Sequence, residues 1–138
     1  MTEPKFVVDL NVGRLAKWLR VMGYDALFVP KADDDQLLRI ATRENRTILT
    51  KDSLLMQRRL VASGRVKALL ITNDYVKDQL RQVVQALGLD SNRQFSRCIE
   101  CNVPLVDVSK RDAEHLVPPF VYATQEEFMR CPECGKVY

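Results

Sequence analysis

Two Cys-x-x-Cys pairs near the C-terminal end constrain this chain more than any other feature of its sequence. Cys98 and Cys101 form the first pair, Cys131 and Cys134 form the second, and the chain has no other cysteine. In a reducing cytosol such thiols persist as thiolates on a metal rather than as disulfides. Two turns of this kind can surround one tetrahedral zinc ion and leave no open coordination position. We therefore predict a structural zinc ion in a small ribbon; disulfides, a redox-active pair and an iron–sulfur cluster are the alternatives.

Length and composition are those of an ordinary globular protein. The chain has 138 residues, of which 46% are hydrophobic and 28% charged, which suits one α/β domain with a short appendage. No apolar stretch approaches the ~20 residues of a spanning helix, and the first residues lack the apolar region of a signal peptide. We therefore expect a cytoplasmic protein without membrane contact. The net charge of +3 is a weak indication of a polyanionic partner, so the distribution of charge matters more.

Short apolar runs alternate with segments of helical spacing over the first two thirds of the chain. The runs typical of buried strands are residues 6–8, 26–29, 47–50 and 68–71. The first and last helical segments are residues 12–22 and 76–87. Between them, one segment begins at residue 33, 34 or 35 and ends at residue 44, and another begins at residue 52 or 53 and ends at residue 63. Alternation with short connections implies a parallel sheet with helices on both faces and right-handed crossovers. We therefore predict an α/β domain over residues 1–90.

The rest of the chain, residues 91–138, is predicted to form the zinc ribbon. Within it, residues 103–106 and 117–122 are typical of extended segments. Residues 124–128 are typical of a capped helical turn.

Acidic residues follow three of the predicted strands. Asp9 follows the first strand, Asp52 comes shortly after the third, and Asp74 comes after the fourth. An Asp triplet at positions 33–35 begins the second helix, and parallel topology brings all these carboxylates to one edge of the sheet, where ligands of open sheets bind. Carboxylates gathered in this way suit Mg²⁺ or Mn²⁺, which can promote phosphodiester hydrolysis. Helix capping is the simpler alternative, above all for Asp74 and the triplet.

Basic side chains flank the same region and could hold phosphate groups. Four of them are candidates for substrate contact: Arg14, Lys51, Arg58 and Arg59. A solvated helix surface is the alternative for such residues. Other catalytic schemes are poorly supplied, because the single histidine, His115, lies in the cysteine module and no P-loop or dinucleotide glycine motif occurs.

Six segments together carry a specific combination of motifs. They are VDLNVGRLAKWLRVMGYD (8–25), DDxLL (34–38), ILTKD (48–52), FSRCxxCNxPL (95–105), VPPxVY (117–122) and CPxCG (131–135). In these segments, which span nearly the whole chain, the sequence resembles the Mut7-C RNase family. The resemblance implies a PIN-like nuclease domain with a C-terminal zinc ribbon and ribonuclease activity that depends on Mg²⁺ or Mn²⁺.

The resemblance also implies a set of site residues. The acidic catalytic and metal-binding set falls on Asp9, Asp34 and Asp52, with positions 33 and 35 as alternatives to Asp34 and with Asp74 as a fourth catalytic member. Arg14 matches a motif position as well. Members of the family continue past the position of Tyr138 with a short Trp-containing segment, so the last strand of the ribbon is expected to be incomplete here.

Three functions fit these observations. The first is a metal-dependent ribonuclease in which the zinc ribbon assists RNA binding. The second is a non-catalytic RNA-binding or adaptor module associated with the ribosome or with tRNA. The third is a toxin-like nuclease held by a protein inhibitor. The identity of the RNA, the mode of cleavage and the oligomeric state are left open by the sequence.

Overall fold

Four short parallel strands form the centre of the computed structural model, which describes residues 3–138. They are β1 (Phe6–Val8), β2 (Ala26–Phe28), β3 (Thr47–Thr50) and β4 (Ala68–Leu70). Their order is β2-β1-β3-β4, and each neighbouring pair is parallel. The central strand β1 is buried along its whole length, which explains why its sequence is continuously apolar rather than alternating. Met1 and Thr2, the first residues of the predicted 1–90 domain, lie outside the described residues.

Helices cover both faces of this sheet, as predicted. The helices of this part are α1 (Arg14–Val21), α2 (Asp34–Glu44), α3 (Ser53–Met56), α4 (Arg59–Ala62) and α5 (Val76–Leu87). On one face, α1 and α5 bury Leu15, Leu19 and Val83 in one apolar cluster. On the other face, α2 and α3 bury Leu37 and Leu55 in a second cluster. The helical spacing of apolar residues therefore marks the sides of the helices that meet the sheet.

The segment predicted as one helix from residue 52 or 53 to residue 63 is in fact two helices. The backbone of Arg58 is extended, with φ −61° and ψ 143°, and it separates α3 from α4. Both Leu55 and Leu60 contact the second apolar cluster. Because five residues turn about 140° around a continuous helix, one straight helix would direct these two side chains apart. The break lets both of them pack against the sheet.

The first predicted helix also begins differently. A short 3-10 turn at Leu10–Val12 precedes α1, and Gly13 joins the two. A β-carbon at Gly13 would lie 2.9 Å from Cζ of Phe28, which is closer than packed carbon atoms approach. The missing side chain therefore lets the start of α1 pass close to the end of β2.

The C-terminal part contains two antiparallel strands and two short helices. They are β5 (Val106–Val108), α6 (Lys110–Ala113), α7 (Pro119–Thr124) and β6 (Phe128–Arg130). The backbones of Met129 and Tyr138 exchange two hydrogen bonds of 3.1 and 2.8 Å, so the last residue is paired with β6. No helix in the described part of the chain is long and apolar enough to cross a membrane.

Two predictions for this part are wrong. Residues 117–122 were predicted to be extended, yet α7 begins at Pro119. A proline suits the first turn of a helix, because its missing N–H has no partner there in any case. Residues 124–128 were predicted to form a helical turn, yet α7 ends at Thr124 and Phe128 enters β6 with only 2% of its surface exposed. Burial of this aromatic ring favours the strand.

Candidate functional site: cysteine cluster and acidic edge

The four cysteines converge in the C-terminal part and form a site that can hold a metal ion. All four are free thiols, and their sulfur atoms lie within 4.8 Å of one another. The Sγ atoms of Cys98 and Cys134 are 3.8 Å apart. Tetrahedral zinc with Zn–S bonds of about 2.3 Å separates its sulfur ligands by about 3.8 Å. The cluster therefore fits zinc, and the predicted ligand set is brought together.

Each cysteine pair forms the same kind of turn. In the first, the backbone N–H of Cys101 points at the sulfur of Cys98 at 3.4 Å; in the second, that of Cys134 points at Cys131 at 3.4 Å. Each turn is followed by a residue in the left-handed region, which is Asn102 after the first pair (φ 59°) and a glycine after the second. N–H groups aimed at sulfur stabilise thiolate over thiol, as a metal ligand requires.

The protonation of Cys98 reflects the same arrangement. Burial alone would raise the pKa of the Cys98 thiol, but hydrogen bonds from the Tyr138 hydroxyl and from the N–H groups of Cys101 and Glu100 lower this pKa to about 6. Most of this thiol is therefore ionised at neutral pH before any metal binds. Metal binding at this site should release protons from the remaining thiols.

The first cysteine turn is attached to the outer edge of β2. The Oδ1 atom of Asn102 accepts a hydrogen bond of 2.9 Å from the N–H of Ala26, and Arg20 Nε donates one of 2.9 Å to the carbonyl of Ala26. The same Arg20 side chain donates to the carbonyl of Ile99 at 2.8 Å. The N–H and the carbonyl of Ala26, which an edge strand would leave unpaired, are thus satisfied by the cysteine turn and α1.

An ion pair supports this junction. Asn102 Nδ2 donates to Asp25 Oδ1 at 2.7 Å, and Arg46 donates to both oxygens of the same carboxylate at 2.7 and 3.3 Å. Burial alone would raise the pKa of Asp25, but these hydrogen bonds hold it below its ordinary value. Asn102 therefore joins three parts of the chain: the cysteine turn, β2 and the start of β3.

At the carboxyl edge of the sheet, Asp9 is held firmly. It lies directly after β1, where its Oδ1 accepts a bond of 2.7 Å from the N–H of Leu10 and its Oδ2 accepts one of 2.7 Å from the hydroxyl of Thr50. Thr50 is fully buried at the end of β3, and its Oγ1 in turn accepts a bond of 3.0 Å from the N–H of Asp52. One hydroxyl therefore links the carboxylate of Asp9 to the backbone of Asp52.

Asp52 and Asp34 lie beside Asp9. Asp52 caps α3, because its Oδ1 accepts a bond of 2.9 Å from the N–H of Leu54. Asp34 begins α2, while the capping role in that helix belongs to Asp33, whose Oδ1 accepts from Gln36 N at 2.8 Å. The capping alternative thus accounts for Asp33 and partly for Asp9 and Asp52, but not for Asp34.

Like charges meet at Asp34. Its pKa is raised above the ordinary value, first by burial and then by the carboxylates of Asp52 and Asp9, although the nearby Arg58 opposes the shift. We call Asp9, Asp34 and Asp52 the acidic edge. Among residues 3–138, only the four cysteines form a group whose ligand atoms approach closely enough to share an ion. The acidic edge is therefore an electrostatic cluster rather than a closed ligand cage.

The fourth predicted acidic residue is not part of the acidic edge. Asp74 is 81% exposed and forms an ion pair with Lys51. This pair lowers the pKa of Asp74, which is opposite to the effect of like charges on Asp34. The backbone of Lys51 also donates to Asn11 Oδ1 at 3.1 Å. Lys51 thus lies between Asp74 and the turn that follows β1.

The predicted substrate-contact arginines occupy three different environments. Arg58 pairs with Asp35 beside the acidic edge. Arg14 is exposed and lines a cleft of about 760 Å³ between α1 and the start of α5, which we call the α1–α5 cleft. Arg59 is exposed at the first residue of α4 and does not line this cleft. Of the three, Arg58 is the one whose charge acts on the acidic edge.

Sequence reasoning missed three residues that organise these sites. Thr50 was treated only as the end of a strand, although its position two residues before Asp52 was a signal that its hydroxyl faces the same edge. Asn11, which accepts from Lys51, carries no such signal. Asn102 follows a cysteine pair at the place where glycine follows the other pair, and this difference was the available hint of a side-chain role.

Comparison with known proteins agrees with this architecture. The family model described as the Mut7-C RNAse domain matches residues 4–138. No match was found among the curated proteins or among the solved structures. The matched region contains the parallel sheet, the acidic edge and all four cysteines. Because the family model covers nearly the whole sequence, this chain belongs to the Mut7-C RNAse domain family.

Proposed function

We propose that this chain hydrolyses phosphodiester bonds of RNA at the acidic edge. The observation that carries the proposal is the position of Asp9, Asp34 and Asp52 at the carboxyl edge of the sheet, where the Thr50 hydroxyl connects the Asp9 carboxylate to the backbone of Asp52. The raised pKa of Asp34, caused by burial and by the carboxylates of Asp52 and Asp9, agrees with this position. Like charges held together at the carboxyl edge of a parallel sheet are characteristic of sites that bind cations and phosphates. Membership in an RNase domain family supports RNA as the substrate. We also propose that the domain is PIN-like.

The donor chemistry of the acidic edge fits a hard divalent cation. Asp9, Asp34 and Asp52 supply carboxylate oxygens, which are the ligands that Mg²⁺ and Mn²⁺ prefer, and a cation would relieve the repulsion that acts on Asp34. When bound, such an ion lowers the pKa of a water molecule and neutralises charge on the phosphate. In this proposal these three residues would hold the divalent cation, and zinc would bind only the cysteines.

The residues themselves orient the reactants. The Thr50 hydroxyl and the Leu10 N–H fix both oxygens of Asp9, so that this carboxylate keeps one orientation. In the reaction, the oxygen of water bonds to phosphorus, the bond from phosphorus to the leaving ribose oxygen breaks, the water proton passes to solvent and the leaving oxygen gains a proton. Arg58 and Lys51, which flank the acidic edge, would contact the phosphates next to the reacting one.

Substitution of the carboxylates tests the proposal. Asp9→Asn and Asp52→Asn should each abolish Mn²⁺-dependent cleavage of a labelled single-stranded RNA, while the melting temperature stays within a few degrees of wild type. Asp107→Asn is the matched control, because Asp107 lies on β5 in the C-terminal part and its side chain is exposed. Unchanged cleavage by both acidic-edge variants would remove the catalytic assignment.

A non-catalytic RNA-binding module is the second candidate. It is favoured because no cluster of carboxylates within the described residues is as closely spaced as the four cysteines. In that case the wild-type protein would bind single-stranded RNA and produce no cleavage with Mg²⁺, Mn²⁺ or any other divalent ion. The Asp9→Asn variant would also still bind single-stranded RNA.

A further inference from the structure

A second cleft, lined by arginines, opens beside the acidic edge. It has a volume of about 530 Å³ and lies between α2 and the junction of α3 and α4. Its floor contains Leu38 and Leu60, and its rim carries Arg39, Arg43 and Arg58. We call it the α2 cleft. Arg39 and Arg43 are four residues apart on α2, so they project from the same side of that helix.

The charges of the α2 cleft are available to a ligand. Arg58 pairs with Asp35, and Arg43 approaches Glu44 at 3.3 Å with 73% of its side chain exposed. Arg39 is exposed, and its charge contributes to lowering the pKa of Asp35. Exposed ion pairs of this kind contribute little to stability. A phosphate group can therefore displace the carboxylates and bind the guanidinium groups in a bidentate manner.

The α2 cleft lies next to the acidic edge. Asp35, which lines the cleft, is the neighbour of Asp34 in the chain. Arg58, which also lines the cleft, forms an ion pair with Asp35. The cleft is thus placed to hold backbone phosphates next to the bond that is cut, rather than a separate small ligand.

The α1–α5 cleft lies on the opposite face of the sheet and reaches the same edge. It is lined by Asn11 and Asp74, which contact Lys51. It is also lined by four cations, Arg14, Lys17, Arg20 and Lys77. Tyr75 stands at its rim with 76% of its surface exposed. Cations combined with an exposed aromatic ring are typical of surfaces that bind single-stranded nucleic acid.

We propose that a single strand of RNA crosses the carboxyl edge of the sheet from one cleft to the other. Phosphates on one side of the reacting bond are bound by Arg39, Arg43 and Arg58 in the α2 cleft. Those on the other side are bound in the α1–α5 cleft, where a base stacks on Tyr75. The inference rests on the proposed function. Because both clefts are open, the strand needs no free end and is cut internally.

Binding measurements test the two-sided track without any catalysis. Fluorescence anisotropy of a fluorescein-labelled oligouridylate is measured without added Mg²⁺ or Mn²⁺. The double variant Arg39→Gln/Arg43→Gln should weaken binding about tenfold at low salt and reduce the slope of log K against log salt by about 1.4, since each phosphate contact of a single strand contributes about 0.7. Tyr75→Leu should weaken binding with little change in that slope.

Arg65→Gln/Lys67→Gln is the matched control for charge. Both residues are exposed and precede β4, at the amino edge of the sheet. This variant should bind within about twofold of wild type and keep the wild-type salt slope, because its lost charges contact no phosphate. Equal effects of the two double variants, or no effect of Arg39→Gln/Arg43→Gln, would overturn the track.

Cleavage of a circular single-stranded RNA tests the internal cut. With Mn²⁺, the wild-type protein should convert the circle to a linear product, and Arg39→Gln/Arg43→Gln should raise KM more than it lowers kcat. A circle that stays intact while the linear form is degraded would refute the track and leave the proposed function standing. If neither RNA is cut, the proposed function fails, and the binding measurements still decide whether the α2 cleft holds RNA.

Discussion

Replacing Asn102 with alanine should destabilise the metal-loaded protein by about 2–5 kcal/mol. Two costs contribute. The N–H of fully buried Ala26 loses its partner, the Asn102 Oδ1 atom at 2.9 Å, and an unsatisfied buried donor costs about 1–3 kcal/mol. Alanine must also adopt the left-handed backbone with φ 59°, which costs about 1–2 kcal/mol. Loss of the hydrogen bond from Asn102 to Asp25 adds little, because Asp25 keeps both of its hydrogen bonds to Arg46.

A matched control separates these two costs. Asn45 ends α2 in the same left-handed region, with φ 54°, and its side chain is exposed. Asn45→Ala should therefore cost only the backbone strain, about 1–2 kcal/mol. Asn102→Gly should remove the strain and keep the loss of side-chain bonds. The difference between Asn102→Ala and Asn45→Ala then measures what the Asn102 side chain contributes to the junction.

Urea unfolding in the presence of excess zinc provides the measurement. Far-UV circular dichroism and the fluorescence of Trp18, the single tryptophan, should report one transition if the two parts unfold together. Equal destabilisation by Asn102→Ala and Asn45→Ala, within about 0.5 kcal/mol, would refute the reasoning. In that case the C-terminal part would be held to β2 by something other than this side chain.

Three further results are expected. Asp34→Asn should raise the melting temperature at pH 7, by the equivalent of about 0.5–2 kcal/mol. The raised pKa of Asp34 means that ionisation of this carboxyl disfavours the folded state, so the gain should vanish below the unfolded pKa of about 3.9. A gain that persists at pH 3 would contradict this cause. Removal of zinc should loosen the cysteine turn and speed hydrogen exchange of the Ala26 amide, which that turn covers. Amides of central β3 should stay protected. Uniform loss of protection would show that the N-terminal fold depends on the metal. Gly13→Ala should cost about 1–3 kcal/mol in urea unfolding, because its β-carbon would clash with Phe28, and Phe28→Leu should recover part of that loss.

Much of the fold could be predicted because local patterns coincide with tertiary burial. The central strands are apolar runs buried on both sides, and the helices bury one face each, so periodicity locates both. Prediction failed at residues 117–128, where local signals are ambiguous. A Pro-Pro pair is compatible with an extended segment and with a helix start. Only the burial of Phe128 in the folded structure selects the strand for residues near position 128.

The candidate site could be predicted only in part for a related reason. Topology brings strand ends together, so the closeness of Asp9 and Asp52 follows from the order of the elements. The position of a long or exposed side chain does not follow from topology. Asp74 turns toward Lys51 instead of Asp34, and the role of Thr50 depends on a hydroxyl that reaches across from β3 to Asp9.

By itself, the sequence determined the two cysteine pairs, the alternation of strands and helices and the family, because each of these depends on residue type and spacing along the chain. Only the tertiary structure decided how the parts are joined. Asn102 meets the outer edge of β2, and arginines of α2 meet the acidic edge, through contacts between residues distant in sequence. Such contacts depend on the shapes and charges of whole surfaces, which no local pattern encodes.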